Sequence, residues 1–123
     1  MRYLTDRKRA ERLGSARRGT EAHWAQTISA VALALMMPTW LVVFGRALGG
    51  SRDSVLATFA QPFPAILTAL VLVVAMRHFA RGMVNMIDDY ARGTARKIGI
   101  MAAYFIAGGI GATGIFAILK IAL

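Results

Sequence analysis

The chain has 123 residues, 57% of them hydrophobic and 17% charged, and its mean hydropathy is +0.54. A chain this short has too much surface for its volume to hide so much apolar material in a water-soluble core, so a soluble enzyme is disfavoured. There is no cysteine, which removes disulfides, iron–sulfur and thiolate zinc ligation, and cysteine nucleophiles. The formal charge of +9 would ordinarily raise nucleic acid as a partner. Here the basic residues bracket apolar runs, so they read as membrane topology signals and no nucleic-acid partner is expected.

A basic leader comes first. Thr5 or Asp6 can cap a short surface helix and Gly14 can stop it, which suits an anchor lying on anionic lipid. Three stretches without Asp, Glu, Lys or Arg follow: Trp24–Gly45, Ser54–Met76 and Ile98–Leu119. Each exceeds the roughly 20 residues a helix needs to cross a bilayer, and single-chain spans of this kind must be helical to satisfy their own backbone. The first run exceeds a usual signal-peptide core and its Ala-rich triplets lie inside it, so cleavage is not expected. Pro38 should kink the first span or mark where it meets a neighbour, and the second helix should begin near Pro62 or Pro64. The chain therefore reads as an all-α integral membrane protein with three transmembrane helices. Residues 1–23 form a basic cytoplasmic segment and residues 24–123 the membrane domain. Twelve Lys and Arg residues lie in the leader and around the second connection, against three in the first loop and tail. The excess marks the cytoplasmic side, so the N-terminus is expected inside and the C-terminus in the periplasm of a bacterial inner membrane.

The last span carries Gly109-Ile110-Gly111-Ala112-Thr113-Gly114, a literal match to the dinucleotide-binding glycine string. That string needs a preceding strand and a following helix, which a membrane span cannot supply. Small residues at four-residue spacing (Ala107/Gly111, Gly108/Ala112, Gly109/Thr113) point instead to a close helix-packing face.

The second span does not stop where its apolar run stops. Val84, Met86 and Ile87 keep an apolar component, so the helix should continue to Tyr90 and emerge among headgroups. His78, Gly82, Asn85 and Asp89 then share one face, and Arg77, Arg81 and Asp88 a neighbouring one. An ionisable side chain at membrane depth is costly and usually faces a partner, cavity or cofactor. Gly82, one turn from His78, leaves room for a bulky planar ligand. Plainer readings stand beside these. A lone intramembrane histidine is often only a hydrogen-bonded packing residue. The arginines can snorkel, Tyr90 can belong with Trp24 to an aromatic belt, and Asp88 and Asp89 can be counter-charges to Arg92 and Arg96.

The stretch from His78 through Gly82 to Asp89-Tyr90 resembles the H-x3-G-x6-D-Y signature of the D-type membrane-anchor family of succinate dehydrogenase, the cytochrome b small subunit. Three spans, the motif's place in the second of them and the leader Gly14-Ser15-Ala16-Arg17-Arg18-Gly19-Thr20-Glu21-Ala22-His23-Trp24 are similar to that family as well. The resemblance implies one half of a heterodimeric helix bundle, paired with a second membrane-anchor subunit, with haem b shared between the two. His78 would be an axial ligand to the haem iron, the metal site, with its other ring nitrogen fixed by a hydrogen bond. Arg81 and His23 would approach the haem propionates. Tyr90, with Asp89 beside it, would bind ubiquinone near the cytoplasmic face, where iron–sulfur and flavoprotein subunits would attach. The implied function is that of a non-autonomous subunit passing electrons from succinate to quinone. A fumarate reductase anchor and a small proton-path or transporter subunit are the alternatives.

Overall fold

The protein is described by a computed structural model covering residues 5–7 and 19–123. The leader helix expected between Thr5 and Gly14 falls almost wholly outside the described residues. Among those residues the helices are, in chain order, α1 (Gly19–Ala47), α2 (Arg52–Ala60), α3 (Pro62–Tyr90) and α4 (Gly93–Ala122). The long helices α1, α3 and α4 have 29, 29 and 30 residues and are apolar enough to cross a membrane. At 1.5 Å per residue each reaches about 44 Å, well past a hydrocarbon core of roughly 30 Å. They are the three spans expected from the sequence, the first and third lengthened at both ends and the second extended past Met76. The second continues to Tyr90, as its apolar component predicts.

The second span begins at Pro62, as its prolines predict; the residues of the charge-free run Ser54–Met76 that precede it are cut off at Gln61 and belong to a separate short helix. A residue before proline is pushed out of the α region, and Gln61 is extended at φ −68° and ψ 143°. Pro62 opens α3, where the first amides have no intrahelical acceptor, so neither Pro62 nor Pro64 costs a hydrogen bond. The ladder starts at Ala65, whose N–H donates to the Gln61 carbonyl at 3.0 Å. Residues 52–60 instead form α2, capped by the Ser51 hydroxyl, which accepts from the Ser54 amide at 3.3 Å.

The turns use glycine where the backbone demands it. Gly49, after α1, has φ +80°, and Gly93, opening α4, has φ +60°. Side chains with a β-carbon are disfavoured there. Between α3 and α4 only Ala91 and Arg92 are extended, so the two helices form a tight antiparallel hairpin.

α3 is the central element. It packs on α1 along one side and α4 along the other, whereas α1 and α4 do not meet. On the α1 side, Trp40 Nε1 donates to Thr68 Oγ1 at 3.1 Å, and Trp40 stacks on Phe44 with ring centroids 4.9 Å apart. α1 stays continuous through Pro38, and this bond two residues later marks where that stretch meets its neighbour. On the α4 side, Ala103, Ala107 and Ile118 are buried, Gly111 faces Met76 and Gly114 faces Leu72. The small-residue face is thus real but narrower than its spacing suggests, since Gly108 and Gly109 face open space. Large apolar side chains such as Leu35, Phe105 and Phe116 remain 68–79% exposed. That outward surface belongs in lipid or against other helices.

Candidate functional site

The polar residues of α3 gather at its second half. His78 is half-buried and faces α1, where two side chains hold both of its ring nitrogens. Ser29, itself buried, has its hydroxyl oxygen 2.8 Å from His78 Nδ1. The Gln26 side-chain nitrogen lies 3.3 Å from His78 Nε2 and 3.4 Å from the His78 carbonyl oxygen. Gln26 and Ser29 are three residues apart on α1 and so share a helical face.

These contacts fix the tautomer. Ser29 donates its only proton to the Gln26 carbonyl at 2.8 Å, so toward the imidazole it can only accept, and Nδ1 must carry the ring proton. A backbone carbonyl only accepts, so the Gln26 nitrogen facing it is a donor, and its second N–H points to Nε2. Nε2 must then be unprotonated. Both contacts suit the same arrangement, with the ring proton on Nδ1 and the lone pair on Nε2.

His78 and Gly82 border Gln26 and Asn85 lines the same cavity, so the first part of the stripe expected from helical spacing faces α1, while Asp89 at its end is exposed. The space beside Gly82 is not open for a planar ligand in this conformation. A β-carbon there would meet the Gln26 side-chain nitrogen at 3.7 Å. That is ordinary van der Waals contact, so the amide borders the glycine without depending on its missing side chain.

Arg81 lies one turn along from His78. It lines a cavity of about 220 Å³ with Ala22, Gln26, Val84, Asn85 and Tyr104. It also borders a groove of about 450 Å³ that runs deeper, past Val73 and Met76 to Gly111. Among the described residues, buried Gln26 Oε1 and Arg81 Nη1 have no hydrogen-bond partner, and both residues line the smaller cavity. Arg77 is exposed beside them. His23 sits one turn before Gln26 and is exposed; among the described residues no hydrogen bond joins its ring to His78 or Arg81. Thr27 Oγ1 donates to its backbone carbonyl at 3.0 Å.

Tyr90 ends α3 and is 88% exposed, so the chain gives its phenol no enclosing wall. Asp89 beside it is exposed too. Asp88 is the carboxylate that finds a counter-charge: Arg96 Nε donates to its Oδ1 at 2.7 Å and ties the end of α3 to the first turn of α4. Ser29 and Gln26 are not among the residues expected from sequence. The signal that marks them is a pair of polar side chains, three apart, just inside an apolar span.

The donor set fits a haem iron. Metal-ligating histidines characteristically donate their second ring N–H to a fixed acceptor, and here Ser29 is that acceptor while Nε2 keeps its lone pair. The unpaired Arg81 Nη1 supplies a donor suited to a carboxylate.

Fold and site together define an all-α, multi-pass membrane bundle with an imidazole held inside the span. The chain matches the family described as Succinate dehydrogenase/Fumarate reductase transmembrane subunit over residues 1–117. It belongs to that family. It is also 46% identical, over 123 residues, to the succinate dehydrogenase hydrophobic membrane anchor subunit of Paracoccus denitrificans, a match spanning 100% of this chain and 95% of the relative. No solved structure matches it.

Proposed function

We propose that this chain is a membrane-anchor subunit of a succinate:quinone oxidoreductase and that it holds one side of a haem b through His78 and one side of a quinone through Tyr90. The observation that carries the haem assignment is the imidazole itself. Its Nδ1 proton is engaged by Ser29 and its Nε2 lone pair carries no proton of its own. When bound, haem b would supply a one-electron carrier, with His78 holding it from this chain and a partner membrane subunit holding it from the other side. Arg81 would neutralise a propionate with its unpaired guanidinium nitrogen, and His23 would approach from the outer turn of α1.

Tyr90 and Asp89 form the quinone end. Reducing a quinone to a quinol takes up two electrons and two protons, and a phenol donating to a carbonyl oxygen stabilises the charge that develops there. Asp89 would orient the phenol or relay a proton. The exposure of Tyr90 supports a site completed by other subunits, with iron–sulfur and flavoprotein subunits attached to the same, cytoplasmic face. Ubiquinone is the substrate this reading takes. His78 and Tyr90 stand about 18 Å apart along the helix, so the two redox molecules occupy separate places on one rod.

Purification of the complex through this chain, followed by a reduced-minus-oxidised absorption spectrum, tests the reading. A b-type spectrum lost or shifted in His78→Ala is expected. A colourless complex that still reduces quinone would overturn the haem assignment.

A further inference from the structure

We infer that Ser29 is the positioning residue that keeps His78 in its ligating tautomer, and that the Gln26 side chain is a removable cap on the ligating nitrogen. The inference rests on the reading of His78 as a haem ligand, which it deepens. The groups form a closed chain of donors and acceptors: His78 Nδ1–H to Ser29 Oγ, Ser29 O–H to the Gln26 carbonyl, and the Gln26 amide to His78 Nε2. Each link fixes the next. Because Ser29 gives its proton to the backbone, it cannot donate to Nδ1, and the opposite tautomer would set two lone pairs against each other at 2.8 Å.

The same hydrogen bond tunes the ring. A donor N–H held by an oxygen raises the basicity of the opposite nitrogen, which favours the oxidised iron over the reduced one. The Gln26 amide is differently placed. Its nitrogen sits on the atom that must bind iron, while its buried oxygen has no partner. An amide satisfied on one side only is poised to rotate out, and the cavity it shares with Arg81 and Asn85 gives it somewhere to go. The cap thus holds the lone pair until a ligand replaces it.

Two measurements test the inference. In the full chain labelled with ¹⁵N-histidine and free of haem, the His78 ring should show a single Nδ1–H tautomer. Measured in the Gln26→Ala background, where no amide holds Nε2, Ser29→Ala should give a mixture, and Ser29→Thr, which keeps the hydroxyl, should restore the single form. In the haem-loaded complex, Ser29→Ala should shift the midpoint potential upward and Ser29→Thr should return it. Gln26→Ala should speed haem uptake without moving the tautomer. An unchanged tautomer and potential in Ser29→Ala would overturn the role of Ser29, as would equal potential shifts in the Ala and Thr variants. Uptake no faster in Gln26→Ala would overturn the cap. If the tautomer responds as expected but the unaltered complex never takes up haem, the haem reading fails while the positioning of His78 by Ser29 stands.

Discussion

The Ser29 hydroxyl on α1 and the His78 Nδ1 on α3, 49 residues apart in the chain, lie 2.8 Å from one another. A buried polar link of this kind makes the α1–α3 register and the imidazole's orientation one property. Sliding either helix by a residue would break both.

Tyr90 is so exposed that removing its hydroxyl costs the fold nothing measurable. Tyr90→Phe should therefore report on chemistry alone. Quinone reduction should fall by roughly a hundredfold to a thousandfold, the scale for loss of one donor to a developing oxyanion. Succinate reduction of an artificial dye should persist. Unchanged quinone kinetics would remove the phenol from the site.

Gly114 faces Leu72 so closely that a β-carbon forces that side chain to move, while Gly109, five residues earlier, faces open space. Gly114→Val should lower stability by about 1–3 kcal/mol, the usual cost of overpacking. Gly109→Ala should be neutral or slightly stabilising, because alanine is the better helix former. Thermal unfolding in detergent compares the two, and equal effects would refute the α3–α4 register.

Thr68→Val keeps the shape of the side chain but removes the acceptor for Trp40 Nε1. Interhelical hydrogen bonds inside membranes average about 0.6 kcal/mol, so a small loss of stability is expected. The indole emission should also change, since the buried N–H loses its partner. An emission spectrum identical to that of the unaltered chain would place Trp40 elsewhere.

The Arg96–Asp88 pair is partly open to water, with side chains 45% and 40% exposed. Solvent screening limits it to at most about 1 kcal/mol. Asp88→Asn should lower the melting temperature slightly at low salt and not at all at high salt. A large loss that persists in high salt would mean that Asp88 does something other than pair with Arg96.

Much of the architecture is legible in the residues because a bilayer leaves few choices. Length and the absence of charge identify three spans, and the extension of α3 to Tyr90 follows from Val84, Met86 and Ile87. The short helix α2 is hidden because its residues from Ser54 on are as charge-free as the span after them. Only the extended Gln61 and Pro62 after it separate them. At the site, His78 stands out because an ionisable group inside an apolar run is costly. Its partners do not. α1 is apolar around most of its circumference, so periodicity cannot say which face meets α3 or that Gln26 and Ser29 lie on it. Gly82 reads as open space from its spacing alone, yet in this conformation an amide fills it.

Because α1 and α4 each lean on α3 and never on each other, the molecule has two seams in place of one core. Between the two flanks the central rod carries most of the packing, and only the short helix α2 touches both. A force pulling from the N-terminus should thus strip α1 first and leave the α3–α4 hairpin standing, in two steps where a closed bundle would give one. The imidazole lies on the seam that opens first.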